Sequence, residues 1–295
     1  MRSYITLGAL VSSVAALTAP PEGALTVGSG GTFATIQEAV DALDTGSSNT
    51  QSIFIFSGTY NEQVKIPGLG GALEVYGFSE DDTSYAGNTV TFYNLNIKNT
   101  YGKGSQAVAL SCYGTSQAYY GVALFGYQDT LLSNEGKHFF GKSFIQGATD
   151  FIFGQRAIAW IDGTDIRVNG PGYITASGRD SDDDSYYVIN NSNVAADAST
   201  TAGDGDVFLG RPWREFARVC FQNTELSSLI NAAGWKVWNE GDERTANVVF
   251  QEFGNTGPGA EGERAGFSEQ LSGALTIDSI LGADYADWVD AAYLS

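Results

Sequence analysis

Short runs of aromatic and β-branched residues recur along the chain, each broken by a glycine or a small polar residue. A weak motif repeats across them. A small or amide residue is followed three positions later by an apolar one at Asn94 and Ile97, Gly121 and Leu124, Gly141 and Phe144, Gly163 and Ile166, Asn191 and Val194, and Asn223 and Leu226. Bulky pairs precede several copies, as in Phe92-Tyr93, Tyr119-Tyr120 and Phe139-Phe140. From Asn94 to Asn223 the copies recur every ~20–30 residues, the period of a solenoid. Short strands at that period predict an all-β chain wound as a parallel β-helix, in which each turn of the coil lays a strand on the one before. A β-sandwich is the alternative that 37 glycines and many short strands leave open, but its strands would recur every ~8–12 residues. The longer period favours the solenoid.

Two segments have the pattern of covers for such a coil. Thr35-Ile36-Gln37-Glu38 is a capping box, and Ile36, Ala39, Val40 and Leu43 then follow helical spacing up to a stop at Gly46. A short helix here would shield the open edge of the first turn, whose backbone groups are otherwise unpaired. Near the other end, Leu281, Tyr285, Trp288 and Val289 also recur at helical spacing and suggest a similar cover there. Positions 1–19 read as a secretory signal, with Met1-Arg2, an apolar stretch from Ile5 to Leu17, and cleavage at Ala16 or Ala19. The stretch is too short to cross a bilayer. The expectation is therefore a secreted, extracellular protein with one domain over residues 20–295, since no linker divides it. Asn190-Asn191-Ser192 is a glycosylation sequon that fits this route weakly.

A net charge of −19 argues against nucleic acid or an anionic membrane as partner. Asp180-Ser181-Asp182-Asp183-Asp184 reads as a solvated loop in preference to a calcium site. Cys112 and Cys220 are separated by four to five turns of such a coil. At ~4.8 Å per turn their backbones would stand about 20 Å apart, far beyond the ~7 Å a disulfide spans. Two buried thiols are expected.

The residue inventory narrows the chemistry. His138, the single histidine, sits among strand-like aromatics and reads as structural, which disfavours a histidine-based hydrolase. One histidine and two distant cysteines serve zinc poorly. Gly257-Pro258-Gly259-Ala260-Glu261-Gly262 matches the dinucleotide fingerprint in letters only, lacking a βαβ context. Carboxylates remain. Asp129 lies in Gly126-Tyr127-Gln128-Asp129-Thr130-Leu131, and Asp150 in Gly147-Ala148-Thr149-Asp150-Phe151-Ile152-Phe153-Gly154. Their separation is one turn of the coil, which would stack them and give an acid and a base at the same pH. Gln106 precedes Gln128 by a similar interval, so those amides should occupy neighbouring turns and could stabilise an oxyanion. Arg211, in Leu209-Gly210-Arg211-Pro212-Trp213, could hold one carboxylate ionised.

Gly58-Thr59-Tyr60-Asn61-Glu62, Gln106-Ala107-Val108-Ala109-Leu110, the two aspartate segments, Leu209-Gly210-Arg211-Pro212-Trp213, Gly234-Trp235-Lys236-Val237-Trp238 and Asn255-Thr256-Gly257-Pro258-Gly259-Ala260 resemble, in order, the signatures of pectin methylesterases. The likeness runs from about residue 25 to residue 295 and looks like the secreted microbial forms. It implies a right-handed β-helix that needs no cofactor or metal and acts as a monomer on pectin, releasing methanol from galacturonic acid methyl esters. It implies Asp150 as nucleophile, Asp129 as proton donor and then base, Gln106 and Gln128 as oxyanion donors, and Arg211 as the residue orienting Asp150. Phe153, Trp213 and Trp235 correspond to groove aromatics, and Tyr127 and Thr149 are expected to reach the substrate beside them. Ile174-Thr175-Ala176-Ser177-Gly178-Arg179 departs from the family's usual Ala-Gln run, and Thr149 stands where valine is frequent. A polygalacturonase, a lyase or a non-catalytic carbohydrate-binding solenoid would share the fold; the first lacks its Gly-His-Gly here.

Overall fold

The computed structural model describes residues 18–78 and 90–295, so the expected signal lies outside the described residues except for its last two positions. The chain is a parallel β-helix, and its strands form three faces. The first face runs from Leu25–Val27 to Ser268–Gln270. A second runs from Asn96–Lys98 to Glu225–Leu226. The third begins at Leu110–Tyr113 and reaches Val207–Pro212. Leu131–Gly141, Phe144–Gly154 and Asp165–Ser177 each bend across two faces.

The repeating motif is the corner between the first and second faces. Asn94, Gly121, Lys142, Gly163, Asn191, Asn223 and Gly254 all have φ between 46° and 61°. Glycine adopts that left-handed backbone freely, and asparagine tolerates it better than other residues. The amides from Asn94 to Asn223 then donate to the next turn, as Asn94 does to the Tyr120 carbonyl and Lys142 to that of Asp162. Three residues on, Ile97, Leu124, Ile145, Ile166, Val194 and Leu226 pair in one inward column. The expected copy at Gly141 and Phe144 is therefore one residue out: Lys142 turns the corner and Ile145 enters the core. Gly141 is glycine for another reason, because a Cβ there would lie 2.6 Å from the Phe139 ring and 2.8 Å from Tyr293 Cβ.

Inside the coil, identical positions stack at the strand spacing. Phe92, Tyr119 and Phe140 lie ring on ring at 5.1 and 4.6 Å, and the column continues through Ile161, Ile189 and Phe221 to Glu252. Glu252 closes it as a buried ion pair with Arg264 at 2.9 Å, with Trp235 Nε1 donating to the same oxygen.

Helix α1 (Ile36–Asp41) starts at the expected capping box and shields the first turn through Ala39, Val40 and Leu43. It ends at Asp41, well before Gly46. Glu62 satisfies its first free amides, accepting from Ile36 and Gln37. The second cover corrects its expected position. Helix α2 (Ile277–Leu281) and the turns to Ser295 do not plug the last turn; they lie along the outside of the first face. There Leu281, Trp288, Val289 and Tyr293 bury Tyr120, Phe139, Trp160 and Val188. Lys142 Nζ donates to the Ala292 carbonyl, and the Ser295 amide donates to Asp162 Oδ2. Aromatic rows on that outer face need a cover as much as the open end does.

Cys112 and Cys220 are free and buried, and burial pushes each thiol up to about 12. Ser133 and the Gly114 carbonyl hold the ring of the buried His138, and burial takes it down to about 4, so it is a neutral structural group. The side chain of Asn190, the sequon asparagine, is buried and donates to Asp162 at 2.6 Å, which leaves it no access for a glycan. In the acidic loop, Asp182 and Asp183 pair with the buried Arg179. Pro258–Ala260 is a short 3-10 turn in a loop.

Candidate active site

The two aspartate segments share a local construction. Gly126 lies against the Thr130 side chain and Gly147 against Phe151, where an added Cβ would come within 2.4 and 2.3 Å. Each loop therefore curls so that the fourth residue packs on its glycine. The Thr130 hydroxyl donates to the Gln146 carbonyl, and Asn169 donates to that of Gly126, which bolts the loops together. The curl puts Asp129 at φ 62° and Asp150 at φ 50°. Left-handed backbone at a non-glycine residue costs on the order of 1 kcal/mol and persists only where the surroundings enforce it.

Register stacks them. Gln128 bridges Thr149 and Leu131 pairs with Ile152, the same offset that separates the two acids, so Asp129 and Asp150 occupy the same position in adjacent turns. Their backbones are thus ~4.8 Å apart. Both are buried, at 3% and 7% exposure, but their environments differ. Asp150 receives a fork from Arg211, Nε to Oδ1 at 2.9 Å and Nη2 to Oδ2 at 2.7 Å. That bidentate geometry fits a carboxylate. Among the described residues no cation is bonded to Asp129. Burial, and secondarily the charge of Asp150, push it up to about 6, against the opposing hydrogen bond from Gln106 and the more distant charge of Arg211. The site thus holds one carboxyl forked by a guanidinium and one that burial pushes toward its protonated form.

Gln106 lies one turn before Gln128, as its spacing predicts, with the Ala107 amide donating to the Gln128 carbonyl at 3.0 Å. Its Nε2 is bonded to Asp129 Oδ2 at 2.6 Å. Arg211 reaches Asp150 from two turns away, in the column Phe153, Ala176, Arg211. Tyr173 and Trp238 hold it there, with ring centroids 4.0 and 4.2 Å from its guanidinium carbon. Neither is among the residues expected from the sequence. Tyr173 pairs with Thr149 in the ladder, a link that only the three-dimensional register exposes.

Phe153 and Trp213 come together beside the acids, ring centroids 6.1 Å apart. Gly178, in the departing segment, lets Trp213 lie on the backbone; an added Cβ would approach its ring to 2.4 Å. Tyr127 and Thr149 are half-buried and flank the two acids in sequence. Trp235 does not join them. It is 1% exposed, stacks on Phe250 at 4.3 Å and belongs to the interior, which corrects its expected place in the groove. Its Nε1–H has a buried acceptor in Glu252, so a sheltered tryptophan carries no unpaired donor.

The family model described as Pectinesterase matches residues 76–268. The chain is 45% identical over 323 aligned residues to a pectinesterase of Aspergillus niger, covering 99% of this chain and 98% of that one. It is 46% identical to a pectinesterase of Aspergillus aculeatus, covering 97% of each. Among solved structures, the deglycosylated pectin methylesterase from Aspergillus niger superposes with a TM-score of 0.84 at 35% identity, over 95% of this chain and 100% of that one. The carrot pectin methylesterase gives 0.79 at 26% identity, over 90% and 96%.

Proposed function

The chain belongs to the pectinesterase family and hydrolyses methyl esters of pectin; from that premise we propose that Asp150 is the nucleophile and Asp129 the proton carrier of the reaction. An Asp150 carboxylate oxygen attacks the ester carbonyl carbon. The carbon–methoxy bond breaks, the methoxy oxygen takes the proton of Asp129, and methanol leaves behind a galacturonyl–Asp150 anhydride. Water then attacks the same carbon while Asp129, now a carboxylate, takes its proton. Asp150 departs ionised, and both groups are restored.

One observation carries this reading: two stacked carboxyls, one forked by Arg211 and the other pushed up to about 6 with no cation bonded to it. Gln106 and Gln128 supply amide donors for the tetrahedral oxyanion, with Gln106 already bonded to the carboxyl that moves the proton. Phe153 and Trp213 bind sugar faces, and Tyr127 and Thr149 border the same groove. We further propose a secreted monomer whose residues 1–19 are a signal and whose residues 20–295 form one domain. Among the described residues no helix is long and apolar enough to cross a membrane. Methanol release from methylated pectin, measured with the natural chain and with Asp150→Asn, tests the assignment. Turnover should vanish in the variant; substantial methanol release by a folded Asp150→Asn protein would overturn it.

A further inference from the structure

Resting on that reading of Asp150 and Arg211, we infer that Arg244 is a positioning residue for the Arg211–Asp150 pair, acting through the Trp238 ring. Trp238 stands between the two arginines in the contact network. Its ring centroid is 4.2 Å from the Arg211 guanidinium carbon and 4.8 Å from that of Arg244. Arg211 is thus fixed by its fork to Asp150, by an Nη1 hydrogen bond to the Trp238 carbonyl at 3.5 Å and by two aromatic faces, Tyr173 and Trp238. Tyr173 is held in the ladder, paired with Thr149 and Phe208. Trp238 lies outside the long strands, at the base of a tight turn in which its amide donates to the Glu243 carbonyl and Asn239 bridges Asp242. Its place against Arg211 is held by the hydrogen bond between them and by that turn, which Arg244 closes.

Three features aim Arg244 at this task. Its backbone is left-handed, at φ 55°, in a residue with a long side chain, a strain of the same kind as at the two aspartates. The guanidinium is forked onto Asp242, Nε to Oδ1 at 3.0 Å and Nη2 to Oδ2 at 2.6 Å, within the same turn. Its remaining nitrogen, Nη1, donates to the carbonyl of Trp213, beside the proposed groove. One side chain therefore ties the Trp238 turn to the Trp213 segment and covers the ring that braces Arg211. A rigid fork can hold all three at once, which a flexible ammonium cannot.

The test is methanol release from methylated pectin by Arg244→Gln, Arg244→Lys, Arg244→Gly, Trp238→Leu and the double variant Trp238→Leu/Arg244→Gln, with Asp150→Asn alongside. We expect Arg244→Gln to lower kcat by roughly 5- to 30-fold, with KM within about twofold and Tm close to that of the parent. Arg244→Lys should recover part of the loss. The double variant should be no slower than Trp238→Leu, because both changes break one chain of contacts. Arg244→Gly keeps a backbone that glycine adopts freely, so it should lose activity without losing the fold. Normal kcat in Arg244→Gln, or losses that multiply in the double variant, would sink the inference. So would a deficit that disappears on cooling, since that would mark a purely structural role. An active Asp150→Asn would overturn the nucleophile assignment instead.

Discussion

Two corners of this coil use the same backbone device for opposite ends. Between the first and second faces, Asn94, Gly121, Lys142, Gly163, Asn191 and Asn223 turn the chain through left-handed φ, one per turn. Asparagine and glycine dominate, and Asn223 Nδ2 donates to Asn190 Oδ1 in a structural amide network. Before the third face, Asp129 and Asp150 adopt the same φ in the same one-per-turn stack. There the side chains are carboxyls, and stacking makes them electrostatic opponents. Stacking strengthens a column of amides, whereas in a column of acids it splits the proton affinities. On the proposed roles of Asp129 and Asp150, reactivity needs no special fold element, only carboxyls at a position that repeats once per turn.

The largest effect should come from undoing that change. Asp150→Asn and Asp129→Asn convert the reactive corner to the chemistry of the structural one, and each should cut kcat by roughly 10³-fold or more. Circular dichroism should show the fold unaltered; near-normal turnover in either would mean the two corners do not differ as argued. Next comes Arg211→Lys, which keeps the charge but loses the fork. We expect kcat to drop roughly 10- to 100-fold, a larger loss than from any single groove aromatic.

A third prediction separates core from groove. Trp235→Leu should destabilise by about 2–4 kcal/mol with KM unchanged, while Trp213→Leu should raise KM at nearly constant Tm. The reverse pattern would return Trp235 to the substrate. The fourth concerns pH. Asp129 must begin protonated, so kcat/KM should decline on the alkaline side as pH rises through about 6, leaving a weakly acidic optimum. Its folded value lies above the ordinary 3.8, so the proton's stabilising contribution is complete below about pH 4 and is lost as pH rises through about 6. Asp129→Asn should accordingly raise Tm at pH 7 and leave it unchanged at pH 4, a gain on the order of 1–2 kcal/mol. Equal Tm at pH 7 would contradict the buried-acid picture. Smallest is Asn191→Ala, a loss of about 1 kcal/mol at the structural corner with unchanged kcat; Asn191→Gly should be nearly neutral in a denaturant titration.

Legibility followed regularity. The stack of Asp129 on Asp150 was readable because the coil there advances by one regular turn without insertion. Gly141 misled by one residue, since a glycine kept for close packing looks the same as one kept for a turn, and Lys142 gave no sign of its left-handed backbone. Trp235 misled because an indole suits a sugar face and a packed interior equally. Tyr173 and Trp238 stayed hidden, because they flank Arg211 from turns on either side of it whose lengths are irregular. The apolar spacing at 281–289 foretold a cover but carried no information about which surface it covers.

That cover also sets how the chain must fold. A solenoid linked only by neighbouring turns could acquire structure one turn at a time as it is synthesised. Residues 277–295 break that locality: the Asp290 amide donates to Tyr120 Oη, 170 positions earlier, and Ser295 reaches back to Asp162. Contacts of such sequence separation form late and slow the approach to the native state. Without them, the aromatic strip of Tyr120, Phe139 and Trp160 would be open to other chains. Residues 277–295 thus act as a clasp that ties turns far apart in the sequence to one shared cover.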